Sequence, residues 1–197
     1  NFLFPGLLAM QFLTQAFSHS SSSLLMSKVM GNIFDLIASP LSAFEVTFAI
    51  ILASVTRSFM IAAVCILVFA IFLDIQIDNI YYSLLYLFLG SFFLGAAGFI
   101  LGCHVEKFDE MSSYTNFIIQ PLVFLSGSFY SIEKLPKFLQ TISEYNPFFY
   151  MIDGFRFGFI GKSDGSISFG LIYLSLLCVV TWFIAYILYK RGYKIKS

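Results

Sequence analysis

Three runs of this chain restrict what it can fold into more than any other feature. Residues 80–103 and 168–189 hold no charged side chain, and residues 46–73 hold Arg57 and no other basic or acidic residue. A helix needs roughly 20 apolar residues to cross the hydrocarbon core of a bilayer. Runs of this length have no polar face to offer water. They are continuous rather than alternating, so helices, not barrel strands, satisfy their backbone groups in lipid. The composition agrees: 59% of residues are hydrophobic and 11% charged, against about one-quarter charged in an average soluble domain. The 11 basic and 11 acidic residues cancel, so no charge field points to nucleic acid as a partner.

Five candidate spans follow: from about Phe2 to Leu25, weakened by Ser18 to Ser23; Val46 to Leu73, with Arg57 in its first half; Ile80 to Cys103; Tyr114 to Tyr130; and Ser168 to Tyr189. The expected fold is all-α, a polytopic membrane bundle. Lys190, Arg191, Lys194 and Lys196 crowd the tail after the last span, which places the C-terminus in the cytoplasm by the positive-inside rule. Asp74 to Asn79 then lies outside. Ser27 to Glu45 and His104 to Ser113 lie inside, and Lys28 and Lys107 give weak agreement. This topology puts Asn1 outside, and the chain does not begin with Met. A further span and a cytoplasmic segment are therefore expected upstream, with residues 1–197 forming a single, N-terminally truncated transmembrane domain.

Three segments are more than plain spans. In Ser27 to Glu45, the apolar residues Ile33, Ile37, Leu41 and Phe44 recur at helical spacing among Asp35, Ser39, Ser42 and Glu45, as in an amphipathic helix. Asn32 can cap it and Pro40 should bend it. Either a motor domain grips such a helix, or it lies in the headgroups. In Phe124 to Lys162, Ile132, Leu135, Leu139 and Ile142 oppose a charged face, and Asn146-Pro147 then offers a cap and a first helical residue. Asp153 and Arg156 interrupt the aromatic run that follows, so a re-entrant helical hairpin before the last span is expected. The two are three apart and can pair on one helix face. They are either a functional site or a clamp. In the third span, Ser91, Gly95, Gly98 and Gly102 share a face and would admit another backbone closely.

The sequence completes no catalytic pattern. Gly161-Lys162-Ser163 resembles the end of a phosphate-binding loop, but Arg156 occupies the position where the pattern needs glycine. His19 and His104 lack neighbours of metal-ligand type. Cys65, Cys103 and Cys178 are odd in number and widely spaced, which reads as packing. Energy must come from another chain or a gradient. A proton-coupled carrier usually needs ionisable groups at mid-depth, and Arg57, expected near the inner boundary, is the exception among the spans.

The chain resembles the membrane subunit of type-2 ATP-binding-cassette transporters. The resemblance rests on Pro121 to Pro136 (PLVFLSGSFYSIEKLP), then Asn146-Pro147, Asp153 and Arg156. Phe4-Pro5-Gly6, Gly31, Leu36, Ser39-Pro40-Leu41 and Glu45 extend it over nearly the whole chain. The resemblance implies six spans in the full chain, five of them visible here, with an external hairpin formed around Pro136, Asn146, Pro147, Asp153 and Arg156. It implies that Ile33, Phe34, Ile37, Ser39, Pro40, Leu41 and Glu45 belong to a helix coupling the permease to a separate ATPase subunit. That partner would bind ATP and Mg, no cofactor residing in this chain. Two ATPases and a second permease copy, forming a homodimer, would complete an exporter in the bacterial inner membrane, surrounded by lipid. An ion-gradient-driven carrier is the alternative.

Overall fold

The computed structural model describes residues 3–33, 35, 39–72, 77–127, 138, 140, 143 and 145–192. The helices are α1 (Leu3–Val29), α2 (Ala43–Ala70), α3 (Ile80–His104), α4 (Phe108–Tyr114), α5 (Gln120–Phe124), α6 (Pro147–Ile160) and α7 (Ile167–Lys190). No strand occurs among the described residues. Three of them, α2, α3 and α7, are long and apolar enough to cross a membrane. The protein is a polytopic helical membrane protein.

The first helix shows how position relaxes composition. It runs unbroken through the serine run at 18–23, reaching about 40 Å at 1.5 Å per residue. The serines do not break it because their hydroxyls bond back to the helix: Ser21 donates to the Phe17 carbonyl at 2.9 Å and Ser27 to that of Ser23 at 2.9 Å. Much of α1 faces protein rather than lipid, packed among α2, α3 and α6. Ser20 and Ser21 are accordingly buried.

Small residues let these helices approach one another. Gly98 of α3 lies against the Phe17 carbonyl and Gly95 against Ser54 Oγ, so closely that a methyl group at either position would overlap its neighbour. A Cβ on Gly102 would stand 3.0 Å from the Ser21 carbonyl oxygen. Ser91 completes the stripe and is fully buried. One face of α3 therefore receives both α1 and α2. The Ser58 hydroxyl donates across to the Phe12 carbonyl at 3.2 Å, a polar tie between α2 and α1. At one end of the bundle Lys28 Nζ donates to the Cys103 carbonyl at 2.7 Å, setting a cation on the negative end of α3. Away from these seams the surface is apolar: Ile172, Leu176, Val179 and Phe183 form an exposed face along α7.

The segment expected as a fourth span from Tyr114 to Tyr130 is different. Helix begins earlier, at Phe108, and passes through a π-helical turn at Thr115–Ile119 before α5. Pro121 explains the turn. Its ring crowds the carbonyl four residues back and it offers no N–H. The wider turn just upstream, where the Gln120 N–H reaches Thr115 oxygen, makes room for it. Helix stops at Phe124, and Gly127, with φ of 76°, takes the left-handed conformation that glycine adopts without strain.

Substituting Gly98 by Val should cost about 1–3 kcal/mol through overpacking against Phe17. Thermal unfolding in detergent should show a lowered midpoint for Gly98→Val and almost none for Val179→Ala on the lipid-facing side of α7. Equal midpoints would refute the close contact between α1 and α3.

Candidate functional site

The Asn146-Pro147 pair starts α6: the Asn146 side chain accepts from the Phe148 N–H at 3.1 Å, and Pro147 holds the first turn, where its missing N–H costs nothing. Asn146 also donates to Ser126 Oγ at 2.9 Å, fastening the start of α6 to the end of α5. From there α6 climbs along α3. Met151 lies by Gly90, Gly154 by the Tyr86 ring and Gly158 by Ser83, and the Asn79 N–H donates to the Gly158 carbonyl at 2.8 Å. Pro147 and Phe148 border a cleft with Leu94, so α6 begins beside the middle of α3 and ends at its first residues. Gly161 stops it at φ 70°. The Gly-Lys-Ser run is thus a helix stop, which gives a physical reason for glycine there.

Asp153 and Arg156 do pair, at 2.7 Å, with both side chains about 2% exposed. They are the centre of a larger cluster. Arg156 also reaches Asp164 at 3.3 Å and donates to the Gly127 carbonyl at 3.2 Å. Asp153 accepts from the backbone N–H groups of Asp164 and Gly165, each at 3.0 Å. One arginine therefore ties the turn after α5, the body of α6 and the loop into α7. Two charges this deeply buried are tolerated only when paired and hydrogen-bonded. The cluster is closed by its own partners, so its geometry suits a clamp holding the α6 arm in place.

Two apolar clefts flank the π turn. One, of about 460 Å³, lies between Phe93, Leu94 and Ala97 of α3 and Ile119, Leu122 and Leu125, with Pro147 and Phe148 at its edge. The other, of about 320 Å³, lies between Phe17, Ile100 and Leu101 and the side chains of Tyr114, Ile118 and Ile119. The helical run from Phe108 to Phe124 touches the bundle mainly through Ile119 and Val123, which are buried, while Phe117 is 78% exposed. It is the least tightly packed of the long helical stretches.

In the amphipathic segment, Ile33 and Asp35 stand in helical conformation, while Ser39 to Ser42 are non-helical. Ile33 does not share an open face with Leu41 and Phe44. It is 3% exposed and packed with Leu24, Ile51, Phe99 and Ala185 of this chain, which makes it an internal anchor. Leu41, Phe44 and Pro40 are exposed and Ser39 is half-buried. Ser42 and Glu45 form a capping box that starts α2: the Ser42 N–H donates to Glu45 Oε2 at 2.7 Å, and the Glu45 N–H to Ser42 Oγ at 3.3 Å. Phe34, Ile37 and Pro136 lie outside the described residues, as do Ile132, Leu135, Leu139 and Ile142.

Sequence reasoning missed Asp164, Gly127 and the Gly154/Gly158 pair. The Asp164-Gly165 dipeptide signals a turn but not that it folds back onto Asp153. A backbone carbonyl such as that of Gly127 carries no side-chain signal. Gly154 and Gly158 are four apart, the same spacing that marked α3, within a segment too short to read as a span.

Removing one member of the cluster should be worse than removing two. Arg156→Met alone leaves buried carboxylates and should cost about 3–5 kcal/mol, whereas Arg156→Met with Asp153→Leu should recover part of that loss. A double-mutant cycle on thermal unfolding in detergent measures this, and additive losses would sink the clamp reading.

A model of the family described as "ABC-2 type transporter" matches residues 1–160. The chain is 31% identical over 198 positions to the inner membrane transport permease YadH of Escherichia coli strain K12, an alignment covering 100% of this chain and 77% of that protein. It is 27% identical over 113 positions to nodulation protein J of Neorhizobium galegae, covering 55% of this chain and 43% of the relative. A fold of packed membrane helices, a match over most of the length and identity along the whole chain place this protein in the ABC-2 type transporter family.

Proposed function

We propose that this chain is the permease subunit of an ATP-driven exporter of the bacterial inner membrane, with its C-terminus in the cytoplasm. The observation that carries the reading is the 31% identity, along the whole of this chain, to an inner membrane transport permease. It is supported by the mechanical contrast within the fold: α1, α2 and α3 are locked by small residues, while the helical run with the π turn is bordered by clefts. A substrate path opens most cheaply beside an element that few contacts hold.

In this reading a separate ATPase subunit binds ATP and Mg and docks on the segment from Ser27 to Glu45. Leu41 and Phe44 supply exposed apolar contacts there, and the capping box fixes where α2 begins. Two ATPases serve two permease copies. Closure of the ATPases moves the spans only because it grips one permease state better than the other. Cargo would be amphipathic, with lipid-linked, glycan or drug-like molecules as the classes, carried outward along a path that the permease copies form together.

Affinity purification of the full-length permease from its native membrane should recover an ATPase subunit with it near one-to-one. Leu41→Asp should release the ATPase without changing thermal stability, and Ile37→Asp should release it too. Ile33→Ala should instead lower stability by roughly 2–4 kcal/mol, as a core truncation does. A wild-type permease that purifies alone would remove the motor from this proposal, and an ATPase that stays bound to both Asp variants would move the docking site elsewhere.

A further inference from the structure

Two parallel helices pressed together set like ends side by side. Gly98 of α3 lies against Phe17 of α1 and Gly102 against Ser21. The two helices therefore advance together and finish at one end of the bundle, α1 at Val29 and α3 at His104. The last carbonyls of a helix lack intrahelical donors and carry the negative end of its dipole. Here two such ends adjoin. Lys28, in the last turn of α1, sets a cation between them. Its ammonium donates to the Cys103 carbonyl at 2.7 Å and to the Val105 carbonyl at 3.3 Å.

Lys28 stands at two junctions at once. Its own carbonyl accepts from the Gly31 N–H at 3.1 Å, where a φ of 78° turns the chain out of α1. The connector from α1 to α2, residues 30–42, therefore starts on this residue. Ile33 seats the connector in the cluster that holds Phe99, Cys103 and Ala185. The Val105 carbonyl belongs to the other junction. Val105 is extended and 1% exposed, and only Glu106 and Lys107 separate it from Phe108, where the helical run with the π turn begins. Glu106 is itself fastened to that run, its N–H donating to Glu110 Oε2 at 3.2 Å. A continuous series of bonds thus leads from the connector, through Lys28 and Val105, to the first turn of α4.

We infer that Lys28 is a latch that makes the start of the π-turn run follow the connector between α1 and α2. The far end of the run is pinned to α6 through Arg156 at the Gly127 carbonyl, and clefts border the run in between. A displacement of the connector therefore enters at the near end. It is taken up at the π turn, where the regular helical ladder is already interrupted. An ammonium on a flexible stem suits a moving joint, because its three donors can exchange one carbonyl for another as the helix ends shift. The latch requires no particular partner at the connector and goes beyond the docking of an ATPase.

The test uses the full-length permease in detergent. An ammonium bound to two carbonyls has to break those bonds before its nitrogen can attack a reagent. An amine-selective acetylating reagent should therefore modify Lys28 at least about tenfold more slowly than the exposed Lys107. Equal rates overturn the latch. A second arm reads the run itself. With Cys65, Cys103 and Cys178 changed to Ala, a spin label at Phe117→Cys, exposed on the π turn, reports local mobility. Lys28→Met should raise that mobility, and Lys28→Arg, which still donates to two carbonyls, should keep it low. Leu13→Ala, a core truncation elsewhere on α1, should lower the thermal midpoint but leave the label unchanged. Unchanged mobility in Lys28→Met overturns the inference. So does an equal rise in Leu13→Ala, which would make Lys28 an ordinary stabilising contact. If Lys28→Met does not fold, the acetylation rates of the native protein decide alone. Neither arm involves the ATPase, so a failure of permease–ATPase pairing is read separately.

Discussion

The structure depends on how closely α3 lets α1 approach. At Gly98 the neighbour is not a side chain that can rotate away but the Phe17 backbone. Between helices in lipid there is no hydrophobic driving force of the aqueous kind, and association rests on packing and interhelical hydrogen bonds. Glycine at this contact turns two cylinders into one rigid body. The approach also explains the serines of α1, because a helix pressed against another backbone has little room for large side chains on that face. Ser20 and Ser21 are the result. Ser58, bonded to the Phe12 carbonyl, brings α2 to the same body.

Rigidity on one side gives meaning to looseness on the other. Pro121 forces a π turn where a regular helix would have continued, and the helix around it leaves clefts on both flanks. The Arg156 cluster then limits what can follow from that looseness. By gripping the Gly127 carbonyl, it pins the far end of the loose run to α6, and α6 is itself seated on α3 through Gly154 and Gly158. Movement of the π-turn helix is therefore tethered at one end.

What the sequence made legible followed from periodicity and polarity. The apolar runs gave α2, α3 and α7, the glycine stripe gave the packing face of α3, and the i,i+3 spacing gave the Asp153–Arg156 pair. Each depends on contacts within one helix or on one repeating face. The failures share the opposite property. The helix start at Phe108 could not be read because Asp109 and Glu110 look like loop residues, although acids suit a first helical turn. The burial of Ile33 could not be read because its spacing to Leu41 and Phe44 fits a helix that does not continue through Ser39 and Pro40. The third partner of the clamp, Asp164, reaches Asp153 through a fold of the chain that no period encodes.

Arg57 was visible in the sequence but its exposure was not, because one-dimensional reading places a residue along an apolar run and says nothing of which face it takes. A buried mid-span arginine would be a structural clamp like Arg156, closed by acids of its own chain. Arg156 has two carboxylates and a backbone carbonyl within reach. Arg57 has the same chemistry, the opposite exposure and no acid on its helix closer than the first turn.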